Sequence, residues 1–320
     1  MTNVQKNDIL QLIEDEKERL GSYRAVANKC KLSEATISQL RKGSYAAEGS
    51  DVYETIALAL GYEFDNGNWN IAETTNFRII TDVLQDAKSE SMFIGISHKA
   101  GSGKTATANV FLQENKRNGV FKINCKEWTG RTFLTEIARE IGAEIPKGYA
   151  TVTGLITSIS ETVKRPSMSR IRPLIILDQA NSLKPSALRS LIYIFNECED
   201  ILGLVILGTE NLEYEIKRGV RLNKAGYDEL DSRFGRKYIN LIGSNLADTR
   251  KVCDANGIED KDMQKRIFEE CEPSKITLSD GRRIDVVEDM RRLKRIIKRE
   301  KIKQETQWKL RYHTDGFMRC

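Results

Sequence analysis

Apolar positions over residues 1–64 recur at helical intervals. Ile9, Leu10, Ile13 and Leu20 make one face, Val26 and Ala27 a second, Ile37 and Leu40 a third, and Ile56, Leu58 and Leu60 a fourth. This spacing predicts a compact module of short helices. The polar turn cluster at 65–68 marks its end. Ile80, Leu84 and Ala87 then share one face of a helix expected around 76–88. From residue 92 the pattern changes to short apolar runs at 92–97, 120–124, 174–178, 202–207 and 237–241, each separated from the next by an amphipathic helical stretch. Strands spaced by helices predict an α/β core with a parallel sheet covered on both faces. Beyond Leu241 the pattern reads as helical to about Lys303. The expected division is therefore 1–64, a helical module; 65–90, a linker and leading helix; 91–245, the α/β core; 246–303, a small C-terminal helical lid; and 304–320, a tail without a readable pattern.

Composition narrows the class. A chain of 320 residues with 40% hydrophobic and 30% charged residues and only five prolines is that of an ordinary globular protein. Six cysteines (Cys30, Cys125, Cys198, Cys253, Cys271 and Cys320) form no CxxC pair, which argues against a zinc ribbon or a disulfide scaffold. There is no signal-like N-terminal stretch, and no apolar run approaches the ~20 residues that span a membrane. The expected setting is soluble and cytoplasmic, with no membrane partner. The net charge of +5 is modest but uneven, since residues 291–303 pack eight basic residues and one acid into thirteen positions. That run, with Leu293, Ile296, Ile297 and Ile302 at helical spacing, is either a polyanion contact or a solvated cationic lid face.

The chemistry begins where the strand at 92–97 runs into His98-Lys-Ala-Gly-Ser-Gly-Lys-Thr105 and then into a helix. Strand, glycine loop and helix in that order make a phosphate cradle. Ala100, Gly101, Ser102, Gly103 and Ala106 offer backbone N–H groups, Lys104 neutralises phosphate charge, and the Thr105 hydroxyl holds Mg²⁺. His98 stands where the usual pattern has its first glycine. The buried strand at 174–178 ends in Asp178, placed as a Walker B carboxylate toward Mg²⁺. Gln179 follows where a water-activating glutamate is expected. A glutamine orients water but cannot take its proton, so tight ATP binding with slow hydrolysis is expected. Either the chain relies on binding more than turnover, or a glutamate has been exchanged for glutamine to freeze the ATP state. Thr209, after the strand at 202–207, is a candidate sensor of the γ-phosphate or a plain strand-end turn residue. Arg233 and Arg236 precede the last strand, where an arginine either reaches a neighbouring subunit's nucleotide rather than its own or simply ends a solvated helix. Arg291 is a candidate lid arginine.

Residues 22–43 have the shape of a helix-turn-helix, with Leu32 in the turn, Ser33 as N-cap and Gly43 just past the second helix. Glu34, Ala35, Thr36, Ser38, Gln39 and Arg41 would be exposed on that second helix, so Ser33, Thr36, Ser38, Gln39 and Arg41 are candidates for contact with double-stranded DNA. A helical bundle used for packing satisfies the same spacing. Lys126 and Arg131, with Lys164 and Arg165, are further candidates for a DNA track.

In motif order over about residues 20–245, this chain resembles the phage Mu B-like transposition ATPases, which are AAA+ proteins. The resemblance rests on the short helix-turn-helix, Ala100–Thr105, Leu174–Gln179 and Gly203–Gly208. It implies an AAA+ P-loop ATPase core with a helical lid, and ATP and Mg²⁺ bound by Lys104, Thr105 and Asp178. It further implies Thr209 as sensor, Arg233 as a trans-acting arginine and Arg291 as lid sensor. The implied function is sequence-indifferent DNA binding with ATP, self-assembly into filaments, target capture and stimulation of a DDE transposase. A helicase loader or a nucleotide-gated helix-turn-helix regulator would use similar parts.

Overall fold

The computed structural model describes residues 3–45, 50–62, 69–146, 148–278 and 280–315, so the turn cluster at 65–68 and Cys320 lie outside the described residues. Two compact units emerge. The first contains Met1–Asn66, Val83–Ser97 and Ala108–Ile239; the second contains Gly67–Asp82, His98–Thr107 and Asn240–Cys320.

The first unit opens with α1 (Asn3–Leu20), α2 (Tyr23–Cys30), α3 (Glu34–Arg41) and α4 (Ser50–Leu60). Local chemistry explains the tight turn between α2 and α3. Lys31 takes a left-handed conformation that caps α2, and the Ser33 hydroxyl caps α3 by accepting from the Thr36 amide at 3.0 Å. Gly43, at φ +65°, follows the last turn of α3. Ile9, Ile13, Val26, Ile37 and Ile56 are fully buried, but Leu58 is 76% exposed and does not belong to the face expected of it. After α5 (Thr75–Ser89) come β1 (Phe93–Ser97), α6 (Lys104–Glu114), β2 (Val120–Asn124), α7 (Gly130–Glu140), α8 (Val152–Lys164) and the single turn α9 (Pro166–Ser169). The unit finishes with β3 (Leu174–Asp178), α10 (Pro185–Cys198), β4 (Gly203–Gly208), α11 (Glu210–Arg221), α12 (Tyr227–Arg233) and β5 (Tyr238–Ile239).

All five strands are parallel, in the order β2-β3-β4-β1-β5. β3 and β4 are buried along their whole length, which is why their sequences read as unbroken apolar runs instead of alternating ones. β1 can lie beside β4 and β5 because Gly95 leaves room for the Tyr238 ring, which a Cβ there would approach to 2.4 Å.

The N-terminal helices share one apolar core with the sheet: Ile9, Ile13, Val26 and Ile37 belong to the same cluster as Phe121, Phe133, Leu134 and Ile175. A buried ionic network reinforces that junction. Arg19 meets Glu16 at 2.6 Å and Glu140 of α7 at 3.3 Å, while Lys29 meets Glu16 at 2.9 Å and also reaches Glu140. Arg19 donates to the Val120 carbonyl at 2.8 Å and stacks on the Phe121 ring at 4.5 Å. Helices α1 to α4 are therefore built onto the sheet rather than tethered to it.

The second unit contains α13 (Leu246–Ala255), α14 (Lys261–Glu270), β6 (Ser274–Thr277), β7 (Arg283–Val286) and α15 (Met290–Asp315). The stretch after Leu241 had been expected to be wholly helical, yet β6 and β7 form an antiparallel hairpin, extended by a bridge between Ser244 and Val287. Ile276 and Ile284 face each other across it, too short a signal to separate from a helix by period. α15 continues past Lys303 into the segment that carried no readable pattern. Val252, Ile258, Ile267, Val287, Leu293 and Ile297 form this unit's core.

Candidate functional site

The glycine loop follows β1 and leads into α6. Gly101 and Gly103 have φ of +83° and +94°, the left-handed turns that expose successive backbone N–H groups. Space adds a second constraint at Gly101, where a Cβ would lie 2.1 Å from Asp289 Oδ1, and the Met290 amide donates to the Gly101 carbonyl at 2.8 Å. Asp289 also caps α15 by accepting from the Arg291 amide at 2.9 Å. Lys99 meets Glu288 at 2.6 Å. The start of α15 is thus seated on the loop. Lys104, at the start of α6, donates to the carbonyls of His98 (2.7 Å) and Lys99 (2.9 Å) and to the Ser102 hydroxyl (2.9 Å), so its ammonium lies across the loop's interior. Thr105, Ala106 and Ala100 are exposed, whereas Ser102 is buried. Asn76, 3% exposed, pins the loop from behind. Its amide donates to the Ser102 carbonyl at 3.3 Å and its Oδ1 accepts from the Ile242 and Gly243 amides at 3.0 and 3.1 Å. The buried asparagine sat inside an expected helix and gave no sign of this role.

The carboxylate strand belongs to the first unit. Asp178 ends β3 at 2% exposure, and one of its oxygens accepts from the Gln179 amide at 3.0 Å. The other, Oδ2, accepts no hydrogen bond and faces the Lys122 ammonium at 3.2 Å, with both side chains almost fully buried (5% and 3% exposed). The sheet register explains the pairing. Asn124 lies opposite Asp178, and Lys122, two residues earlier, points to the same face. A lysine inside an apolar strand is the signal that sequence reading passed over. Gln179 is exposed and holds a left-handed conformation at φ 58° and ψ 37°. Thr209 caps no amide with its side chain. Its own amide donates to Asn181 Oδ1 at 3.1 Å and its carbonyl accepts from the Ser97 hydroxyl at 2.9 Å, so Asn181 and Ser97 fix the end of β4.

Oxygen donors are what a hard divalent cation takes, and the Thr105 hydroxyl and the Asp178 carboxylate are each of that kind. Lys122 is a cation already placed on one of them.

Arg233 and Arg236 differ. Arg233 donates to Asn196 Oδ1 at 2.8 Å, meets Glu229 at 3.3 Å and lies over the Phe195 ring at 4.4 Å. It is bound into its own fold. Arg236 is half exposed and paired at 2.7 Å with Asp228, itself largely exposed; that hydrogen bond raises the guanidinium's pKa further and lowers that of Asp228.

Among the nucleic-acid candidates, Ser33 and Thr36 share a 2.8 Å hydrogen bond in the α3 cap. Arg41 lies on the Tyr23 ring at 3.7 Å and is paired with Glu14. Gln39 is exposed and Ser38 half-buried. Lys126 and Arg131 flank the start of α7, with Arg131 stacked at 4.4 Å on the ring of Tyr149, which is 77% exposed. Lys164 and Arg165 end α8, where Lys164 pairs with Glu197 at 3.2 Å. Along α15 the basic run divides by face. Arg292 and Arg299 pair with Glu272 and Glu270, while Arg291, Arg295 and Lys298 are exposed at helical spacing on another face.

Cys30, Cys125, Cys198, Cys253 and Cys271 are buried with free thiols, and burial pushes Cys30, Cys125 and Cys253 up to about 12, so these are packing groups and not nucleophiles. No helix among the described residues is long and apolar enough to cross a membrane.

Residues 87–214, which hold the glycine loop and most of the parallel sheet, match the family model described as AAA domain. The structure of Cdc6p from Pyrobaculum aerophilum is similar at a TM-score of 0.47 and 15% identity, over 64% of this chain and 55% of that one. The chain thus spans little more than half the length of that protein. No curated protein matches.

Proposed function

We propose that the chain is an ATP-controlled DNA-binding ATPase. The observation that carries this reading is the loop between β1 and α6, where two glycines in left-handed conformation lead to Lys104 at the start of a helix, within the segment that matches an AAA domain. In this reading Ala100 to Gly103 and Ala106 cradle phosphates by backbone N–H groups and Lys104 leaves its loop carbonyls for phosphate oxygens. Thr105 and Asp178 hold Mg²⁺, which supplies charge neutralisation at the phosphates. Gln179 orients water, Thr209 senses the γ-phosphate and Arg291 closes from the lid side. Because a glutamine takes no proton, turnover is slow and the ATP state is long-lived.

The DNA partner is read from charge. Arg291, Arg295 and Lys298 on α15, with Lys126 and Arg131, are placed for phosphates, which gives affinity with little sequence preference. Ser38 and Gln39 of α3 are the remaining base-edge candidates, since Ser33, Thr36 and Arg41 are engaged within the module. The narrower reading is a target-selection ATPase of phage-type DNA transposition, self-assembling on DNA and activating a DDE transposase; motif order supports it. A bacterial cytoplasm is the matching location.

The test is binding to random-sequence duplex DNA with ATP, with ADP and without nucleotide, over a salt series. ATP-dependent, salt-sensitive and sequence-indifferent binding is expected. Sequence-specific binding indifferent to nucleotide would replace this reading with a repressor-like one.

A further inference from the structure

We infer that Asn76 is a positioning residue that couples occupancy of the glycine loop to the segment 242–244 and to the first turn of α15. On the nucleotide reading proposed above, on which this rests, a bound nucleotide is felt at both places through one buried carboxamide. All the groups involved lie within the second unit. Asn76, 3% exposed, donates through its amide to the Ser102 carbonyl at 3.3 Å, while its Oδ1 accepts from the Ile242 and Gly243 amides at 3.0 and 3.1 Å. From Gly243 the chain passes to Ser244, whose backbone exchanges hydrogen bonds with Val287 at 2.9 and 2.7 Å and whose hydroxyl donates to Met290 Sδ at 3.0 Å. The Met290 amide returns to the loop by donating to the Gly101 carbonyl at 2.8 Å. These contacts close a ring that leaves the loop at Ser102 and re-enters it at Gly101.

A carboxamide suits this place because it donates and accepts across one rigid plane. Displacing the Ser102 carbonyl turns that plane and strains the two bonds at Oδ1, and a buried amide left without its acceptor is costly. Two restraints leave the displacement little room to dissipate. The Thr75 amide donates to Asp248 Oδ1 at 3.0 Å, which fixes the backbone that carries Asn76. Gly243 holds φ +97°, and a Cβ there would come within 3.1 Å of Val286, so the turn that aims its amide at Asn76 is crowded. An anion gathered by the backbone amides of the loop settles the Ser102 carbonyl in one position, and the ring carries that order to 242–244 and 287–290. Coupling of this kind is reciprocal: what nucleotide adds to the order of these segments, their order adds to nucleotide affinity.

The experiment is hydrogen exchange of the full chain, read by mass spectrometry with and without saturating ADP and Mg²⁺, for the wild type and for Asn76→Asp at pH 8. The amides of Ile242, Gly243, Ser244, Val287 and Met290 are donors in the ring, so their exchange reports on it. The aspartate keeps an acceptor for Ile242 and Gly243, whose amides hold it ionised, and has no donor for Ser102. Thermal unfolding confirms that the variant is folded, and Asn76→Ser takes its place if it is not. In the wild type, ADP should slow exchange at 242–244 and 287–290 by about threefold or more, as well as in the loop. In the variant the slowing should be confined to the loop, and ADP affinity by titration calorimetry should fall by a comparable factor. A residue that only holds the fold together shifts exchange equally with and without ADP, so the ADP-induced difference separates positioning from packing. A wild type whose exchange at 242–244 and 287–290 is indifferent to bound ADP overturns the inference, and so does a folded variant that transmits the ADP response in full. Absence of nucleotide binding by the wild type is a different failure, since it overturns the nucleotide reading on which this one stands.

Discussion

In the proposed ATPase, Gln179 is the residue on which turnover depends most directly. It sits one position beyond a buried carboxylate, exposed, in a left-handed conformation that a non-glycine residue adopts only where its surroundings hold it. Substituting Gln179→Glu changes neither shape nor volume by much and adds a group able to accept a proton. Steady-state phosphate release should therefore rise by about tenfold or more, and an unchanged rate would mean that this position does not limit hydrolysis. At Gly101 two separate costs coincide. The positive φ disfavours any side chain, and the Asp289 carboxylate occupies the place of a Cβ. Gly101→Ala should cost the loop its shape and abolish nucleotide binding, while Gly103→Ala, where nothing lies within 4 Å of the new methyl, should retain weak binding. Equal losses from both, measured by calorimetry, would show that conformation alone governs the loop. The two arginines are separable in the same way. Arg233 is committed to Phe195, Asn196 and Glu229, so Arg233→Ala should lower thermal stability, whereas Arg236, held by an exposed carboxylate that solvent screens, is the freer of the two to reach another subunit.

At the scale of elements, the junction of α1 and α2 with α7 is the place where charge and packing act together. Burial opposes ionisation of Glu16, yet the ammonium of Lys29 and the guanidinium of Arg19 outweigh it and hold the carboxyl down at about 2. A carboxyl lowered in the folded state stabilises the fold fully above its ordinary value near 4.5, and loses that contribution as the pH falls toward about 2. Acid unfolding should accordingly begin below about pH 4.5, with a cooperative loss of helix, and Glu16→Gln should flatten that dependence. Lys29→Met leaves two carboxylates sharing one guanidinium and should cost about 3 to 5 kcal/mol in denaturant titration. None of this network was legible in the sequence, because Glu16, Lys29 and Glu140 are ordinary surface residues by type and only the tertiary contact buries them. The central strand was legible for the opposite reason: residues buried on both faces are apolar without interruption, so β3 falls at 174–178 as its composition indicates. The loop at 98–105 was legible as a turn between strand and helix because Gly101 and Gly103 take positive φ there. The hairpin β6–β7 was not, since two four-residue strands, one carrying Lys275 and the other Arg283 and Asp285, have too little alternation to oppose a helical reading.

The molecule as a whole determines which experiments on DNA binding are clean. Deleting residues 1–64 would seem the direct way to ask whether α3 reads DNA, but Ile9, Ile13, Val26 and Ile37 share their core with Phe121 and Phe133, and Arg19 bonds to the β2 backbone. Removal of these helices uncovers that face of the sheet core, and lost affinity would report unfolding. Surface substitutions avoid this. Gln39→Ala with Ser38→Ala should leave stability unchanged; if α3 enters a groove, these changes alter the preference among duplex sequences more than the mean affinity. The cationic face of α15 makes the opposite forecast. Replacing Arg291, Arg295 and Lys298 together by alanine removes three exposed cations with no acidic partner among the described residues, while Leu293, Ile296 and Ile297 keep the helix packed. The slope of log affinity against log salt should then fall by about three, uniformly across sequences. If the slope is unchanged while nucleotide affinity falls, Arg291 serves the phosphates of ATP and the rest of the ridge is a solvated face. If both change, α15 is where nucleotide state and DNA meet, since its first turn is already seated on Gly101 of the glycine loop.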